Sequence, residues 1–229
     1  MVAAAGLTMS GMTPSGPASA AGPIVGTVAV SGTTLAFDAA SGFANQVDMG
    51  SGGIPNPVEI VVEDLAGQLA VGTGCHLISG NTKARCKAPP GSTFTFIDVE
   101  LGNGNDTVVF DPSLGGSNML VPTRVFGQAG ADELHGTSRN DTIDGGFGND
   151  TLFGEQGADT VRGGPNQDEV AGGVGKDILD GGINADTMFA VDFEKDQVTC
   201  GDGLFDGPDT AHVDAIDTVD PSDCELLAT

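Results

Sequence analysis

The chain has no tryptophan, no tyrosine and only eight lysines and arginines among 229 residues. The first two absences remove the large amphipathic rings that most often anchor interfaces. The scarcity of basic residues, against 32 aspartates and glutamates, leaves a formal net charge of −24. Such a surface repels nucleic acid and anionic membrane, and no basic patch offsets it. No stretch is long and apolar enough to serve as a transmembrane segment. No amphipathic helix of useful length can be drawn anywhere. H-E-x-x-H, G-x-S-x-G and C-x-x-C are all missing, so the sequence gives no support for a zinc protease, a serine hydrolase or a cysteine metal site. The three histidines, His76, His135 and His212, are scattered and read as solvated side chains. The chain is expected to be no enzyme.

What is present is a repeat. From Gly127 to Phe189 an aspartate recurs every nine residues: Asp132, Asp141, Asp150, Asp159, Asp168, Asp177 and Asp186. A glycine opens each nonamer: Gly127, Gly136, Gly145, Gly154, Gly163, Gly172 and Gly181. Two positions after each aspartate stands an apolar residue: Leu134, Ile143, Leu152, Val161, Val170, Leu179 and Met188. A fixed short period means one structural unit stacked on copies of itself.

The unit reads directly. In Gly145-Gly146-Phe147-Gly148-Asn149-Asp150-Thr151-Leu152-Phe153, the glycine-rich half makes a tight turn with positive φ. The last three residues are too few for a helix and suit a short strand that sends Leu152 inward. Stacked copies put the apolar residues in an interior ladder and the aspartates in columns at the edges. Bare carboxylates so placed repel. A hard cation taking about 6–8 oxygens, from carboxylates and glycine carbonyls, resolves the repulsion. Calcium is the expected ion. Without it, low hydrophobicity and high charge predict disorder across the repeats.

Gly145 to Phe153 and Gly172 to Asp180 match G-G-x-G-x-D-x-U-x, and the array resembles the repeats-in-toxin (RTX) family. The resemblance implies an all-β fold, a parallel β-roll or β-helix solenoid with two nonamers per coil and Ca²⁺ held between each turn and the turn two repeats later. Asp132, Asp150, Asp168 and Asp186 would share one edge, and Asp141, Asp159 and Asp177 the other, which allows up to five interior sites. Carried over by position, the ligands are these carboxylates and turn carbonyls. The carbonyls come from the first position (Gly127, Gly145, Gly154, Gly163, Gly172, Gly181), the second (Gly146, Gly164, Gly173, Gly182) and the fourth (Gly130, Gly148, Gly157, Gly175). The fourth position is instead Asn166 and Asn184 in two repeats, which asparagine tolerates, and Arg139 in another. Arg139 would bring a positive charge beside the ion, so the turn of Asp141 is expected to bind least well.

Outside the array, Ile24–Val30, Leu35–Phe37, Val58–Glu63, Leu69–Val71 and Phe94–Leu101 read as strands between turn residues. The apolar phase flips between Phe96 and Ile97, which suggests a bulge or corner. Leu101-Gly102-Asn103-Gly104-Asn105-Asp106-Thr107-Val108 is one more repeat-like turn. The G-x-G-C at Gly72–Cys75, Cys86 and this turn are similar to the lead-in of secreted actinobacterial RTX-like calcium-binding proteins. The tail from Asp196-Gln197-Val198-Thr199-Cys200 to Cys224-Glu225 is similar to their ending, with Leu204–Pro208 as an insertion. The expected organisation is a signal peptide over 1–22, ending in the A-x-A pattern Ala18-Ser19-Ala20 with its beginning upstream. A β-rich lead-in over 23–110, a spacer over 111–126, calcium-binding repeats over 127–189 and a cap over 190–229 follow.

Four cysteines allow three connectivities. Proximity favours Cys75 with Cys86 and Cys200 with Cys224, free thiols being the alternative. The expected function is a secreted protein whose roll binds several Ca²⁺ ions and folds on binding. The alternative is a surface adhesion or matrix protein in which calcium stiffens a spacer, which a uniform outward face or an exposed aromatic stripe would favour.

Overall fold

A computed structural model describes residues 24–51, 59–110, 121–201, 209–220 and 224–228. The leader, residues 111–120 of the spacer and the Leu204–Pro208 insertion lie outside them.

Among the described residues there is no helix. Two long sheets face each other across one core, with a two-stranded ladder of Gln156–Gly157 and Val174–Gly175 at one edge. Within the repeats each coil contributes one strand to either sheet. The first sheet takes Thr123–Ala129, Thr142–Phe147, Thr160–Pro165 and Ile178–Ile183, all parallel. The second takes Glu133–His135, Thr151–Phe153, Glu169–Ala171 and Thr187–Ala190, also parallel. The register is 18 residues, two nonamers: Ile143 pairs with Val161 and Leu152 with Val170. The repeat region is thus a parallel β-roll.

The register explains the core. Val125, Ile143, Val161, Leu179 and Val198 stack as one interior ladder, and Val108, Leu134, Leu152, Val170, Met188 and Ala211 as the other. All are buried. Each coil buries little more than two apolar side chains, about 1.5–3 kcal/mol apiece, while fixing about 18 residues of backbone. Stacking alone therefore leaves little margin for unbalanced charge at the turns.

The stack runs on beyond the nonamers in both directions. Toward the N-terminus, Thr123–Ala129 lies on Phe96–Glu100, which lies on Thr34–Ala39. In the second sheet Glu133–His135 lies on Thr107–Phe110, and that on Gln46–Ser51. Only past these strands does the pairing turn antiparallel. Ile24–Ser31 pairs antiparallel with Thr34–Ala39 and carries Gln68–Val71 beyond it as a parallel edge strand, while Glu59–Asp64, Lys83–Lys87 and Cys75–Ser79 meander across the second sheet. Toward the C-terminus Gln197–Gly201, Asp209–Val213, Thr218–Val219 and Cys224–Ala228 continue the two sheets.

The phase flip falls where the strand begins: the strand is Phe96–Glu100, and Phe94 precedes it. Phe94 is buried in the approach, and the strand that follows points Ile97 and Val99 inward. Gln46–Ser51, Cys75–Ser79 and Lys83–Lys87 carried too few large apolar residues to be read as strands. In the last of these the inward positions are only Ala84 and Cys86. Both disulfides form in the favoured pairing, and no cysteine is free. Cys75 and Cys86 face each other across one antiparallel pair. Cys200 and Cys224 lie on opposite sheets, so their bond ties the two faces of the roll together at its C-terminal end.

The outward columns are mixed rather than uniform. Asp144, Arg162 and Asp180 lie in register, with Arg162 paired to Asp180 at 3.0 Å. Thr151 stands between Glu133 and Glu169. His135 stacks on Phe153 with ring centroids 4.6 Å apart, and its ring reaches Glu155 at 2.9 Å.

Candidate metal centre

The turns are built so that oxygen atoms face along the stack. At Gly148, the fourth position, φ is +133° and an added Cβ would strike the carbonyl oxygen of Gly130 one coil below. Only glycine fits there: the backbone is left-handed and the neighbouring carbonyl occupies the side-chain space. At Gly145, the first position, an added Cβ would fall against Oδ2 of Asp150 and lie 2.9 Å from the carbonyl oxygen of Gly163 one coil above. Carbonyls of the second position behave likewise: those of Gln128, Gly146 and Gly164 approach Gly146, Gly164 and Gly182 in turn. Each first-position glycine of the array thus marks a space bounded by its own aspartate, and at Gly127, Gly136, Gly145, Gly154 and Gly163 by the first-position carbonyl of the next coil as well.

The aspartates form two columns held by one repeated hydrogen bond. The N–H of Asp132 donates to Oδ1 of Asp150, Asp150 to Asp168 and Asp168 to Asp186, each at 2.8 Å. On the other edge Asp141 donates to Asp159 at 2.7 Å and Asp159 to Asp177 at 2.8 Å. One oxygen of each carboxylate is therefore engaged. The second is not: Oδ2 of Asp132, Asp150, Asp159, Asp168 and Asp177 is buried without a hydrogen-bond partner. These five residues are at most 4% exposed.

A buried carboxylate oxygen without a donor is costly. Burial, the largest cause, pushes Asp132, Asp159 and Asp168 up to about 7; a backbone hydrogen bond to each opposes it, and the repulsion of neighbouring aspartates adds to it. Asp150 and Asp177 are also raised, again chiefly by burial. Such a group must hold either a proton or a cation. Among the described residues no three His, Cys, Asp or Glu side chains gather into a cluster. An ion between two coils must therefore draw the rest of its oxygens from turn carbonyls, which point there.

The turn of Asp141 differs. Thr137 stands in the second position and donates its N–H to Oδ2 of Asp141 at 2.6 Å and its hydroxyl at 2.8 Å. Thr123 supplies an N–H at 2.6 Å and a hydroxyl at 3.0 Å to Oδ1. Both oxygens of Asp141 are occupied by protein donors. What sets this turn apart is Thr137 rather than Arg139, which is exposed and does not take a positive φ. Asn166 and Asn184 do take one, at 92° and 86°, as their fourth position requires. So do Gln128 and Glu155, second-position residues at 70° and 76°.

Three aspartates outside the nonamers join the columns. Asp106 donates its N–H to Asp132, Asp177 donates to Asp196, and Asp186 donates to Asp209, each at 2.8 Å. Burial, first among the causes, pushes Asp196 up to about 6. The signal for all three was present as aspartate followed two residues later by an inward residue: Val108, Val198 and Ala211. The turn of Asp106 was legible as repeat-like, but the spacing hid the place of all three in the columns, because the 18-residue coil is stretched there. In the first- and second-position places of the coil after Gly181 stand Cys200 and Gly201, whose approach to Gly181 and Gly182 repeats that of the glycines below.

The class defined by fold and turns is a parallel β-roll of glycine–aspartate nonamers. Residues 126–161 and 162–190 match the family model of the RTX calcium-binding nonapeptide repeat (4 copies). No curated protein and no solved structure matches the chain. The roll thus carries RTX-type repeats, which are calcium-binding structural units. No helix of the described residues is long and apolar enough to cross a membrane.

Proposed function

We propose that this chain is a secreted, non-catalytic calcium-binding protein whose roll takes up several Ca²⁺ ions between stacked turns and folds as it does so. One observation carries the reading: the row of buried, unpartnered Oδ2 atoms on Asp132, Asp150, Asp159, Asp168 and Asp177. Those of Asp132, Asp150, Asp159 and Asp168 face spaces that also receive the first-position glycine carbonyl of the next coil. The donor set is all oxygen, which suits a hard cation of high coordination number rather than zinc or copper. Ions would sit between Asp132 and Asp150, Asp150 and Asp168, Asp168 and Asp186, and Asp159 and Asp177. The fifth place, between Asp141 and Asp159, is the weakest because Thr137 already fills the Asp141 carboxylate. Residues 127–189 are the calcium-binding part, 23–110 the lead-in that seeds it and 190–229 its cap. The two disulfides favour an oxidising compartment. The adhesive alternative gains little, since the outward columns mix charge, hydroxyl and ring.

The test is a calcium titration of metal-free protein followed by circular dichroism and calorimetry. Because each ion joins two coils, β-structure and several ions per chain are expected to appear together and cooperatively. A chain that binds no calcium, or whose repeats are equally folded in chelator, overturns the reading.

A further inference from the structure

Two coils beneath the first nonamer lies a turn with no glycine–aspartate signature that is nonetheless built like one. Phe43 presents its carbonyl oxygen to the Cβ position of Gly104, as Gly130 does to Gly148. Two residues later the N–H of Asn45 donates to Oδ1 of Asp106, as that of Asp132 does to Asp150. Two residues later again Val47 is buried in line with Val108 and Leu134. Asn45 therefore stands where the column would place an aspartate.

Its surroundings are short of donors. The Asn45 amide nitrogen donates to the Phe43 carbonyl at 3.2 Å and to Oδ1 of Asp106 at 3.0 Å. That leaves Oδ1 of Asn45 buried without a partner, and Oδ2 of Asp106 and Oδ2 of Asp64 are in the same condition. Asp64 ends the strand Glu59–Asp64, which pairs with Gln46–Ser51 on the side away from Asp106. Its Oδ1 accepts the N–H groups of Gln46 at 3.3 Å and Ala66 at 2.9 Å. Asn45, Asp64 and Asp106 are 2%, 0% and 1% exposed. No ion pair among the described residues involves either carboxylate. Burial, the largest cause, raises the Asp64 carboxyl, and the charge of Asp106, the last, adds to it.

Three buried oxygen acceptors without donors, two of them on carboxylates, are an unbalanced set. A divalent hard cation balances both the charge and the valence, and the absence of thiol and imidazole groups argues against softer metals. We propose that Asn45, Asp64 and Asp106, with the Phe43 carbonyl, form a further calcium site in the lead-in, between the two coils ahead of the nonamers. This inference rests on the calcium reading of the repeats but uses different ligands: a carboxamide replaces one column carboxylate, and Asp64 restores the lost charge from the neighbouring antiparallel strand. The lead-in is then itself calcium-stiffened where it hands the stack over to the repeats.

The experiment uses the full disulfide-bonded chain, with calcium alone as probe. Calorimetry counts ions per chain, and amide exchange follows residues 43–47 and 127–189 separately. Asp64→Asn keeps the Oδ1 acceptor and replaces Oδ2 by a donor. It is expected to lose one ion and the calcium-dependent protection of 43–47, while 127–189 keep theirs. Asn45→Asp adds a ligand charge and is expected to bind one ion several-fold more tightly. Wild-type protein that takes up calcium, with Asp64→Asn retaining every ion and the protection at 43–47, overturns this inference and leaves the reading of the repeats standing. Wild-type protein that binds no calcium overturns both. If Asp64→Asn unfolds the lead-in, Asn45→Asp decides: unchanged ion count and affinity overturn the site.

Discussion

Thr137 donates both its N–H and its hydroxyl to Oδ2 of Asp141, and so occupies the oxygen that the turns of Asp132, Asp150, Asp159, Asp168 and Asp177 leave bare. Replacing it should turn this place into an ordinary one. Thr137→Gly is expected to cost about 2 kcal/mol of metal-free stability through lost charge-assisted hydrogen bonds and to strengthen calcium binding. In the wild-type background, Asp150→Ala and Asp177→Ala are expected to weaken binding more than Asp141→Ala. Calorimetric titration of the four variants checks this. Equal losses at all three aspartates would show that Thr137 does not govern the site.

A second expectation concerns pH. In the metal-free fold Asp132, Asp159 and Asp168 are pushed up to about 7 by burial, whereas in the unfolded chain they titrate near 3.9, roughly. The folded form then holds more protons than the unfolded form between these values, so stability falls as pH rises through that window. Below about pH 4 the penalty is absent, and above about pH 7 it is complete. The metal-free roll is expected to be more populated, and to melt higher, in mild acid than at neutral pH, and calcium uptake between these limits should release protons. Thermal melts at several pH values, with proton release recorded in two buffers, are the measurement. A metal-free melting temperature that climbs with pH would contradict the assignment.

A third concerns where calcium acts and which ion serves. In chelator, amide exchange is expected to be fast over 127–189 and slower over the antiparallel strands Glu59–Asp64, Cys75–Ser79 and Lys83–Lys87, which carry a disulfide and ion pairs such as Lys83 with Glu63 at 2.6 Å. Magnesium should restore protection poorly, since it prefers a tight octahedron and keeps its waters. Full protection with magnesium would show that the spaces between turns are not shaped for the larger ion.

A fourth concerns the C-terminal disulfide. Cys200 and Cys224 are 24 residues apart and bridge opposite sheets. Replacing both by serine is expected to cost about 3 kcal/mol and to loosen first the strands Gln197–Gly201 and Asp209–Val213. Denaturant melts in saturating calcium, with exchange read strand by strand, test it. Uniform loosening of the whole roll would assign the bond a global role instead.

The repeats were legible because three residue types recur at one spacing and each has a single physical job. Glycine permits the turn, aspartate fills its mouth, and the apolar residue two places later enters the core. Where one job passes to a different residue the pattern disappears from the sequence but not from the structure. Asn45 does the work of an aspartate and Cys200 that of a first-position glycine. Thr123 leads the second column although nothing in its sequence neighbourhood resembles a turn. The strand Lys83–Lys87 was invisible because its inward side chains, Ala84 and Cys86, are small and its outward ones are all basic. The disulfide partners followed from proximity alone. The filling of the Asp141 site could not, since it depends on which way one threonine hydroxyl turns.

The unbroken run from Thr34–Ala39 through Phe96–Glu100 to Thr123–Ala129 and Thr142–Phe147 bears on the order of assembly. Parallel sheets usually form slowly because their partners lie far apart in sequence. Here each nonamer strand finds its partner only 18 residues away, and the antiparallel lead-in offers a finished edge to the first of them. Growth can then proceed like a zipper, one coil templating the next from the N-terminal end, with nearest-neighbour contacts setting the cost of every step. A break in the middle would arrest the far half and spare the near one, which gives the chain a direction of failure as well as of folding.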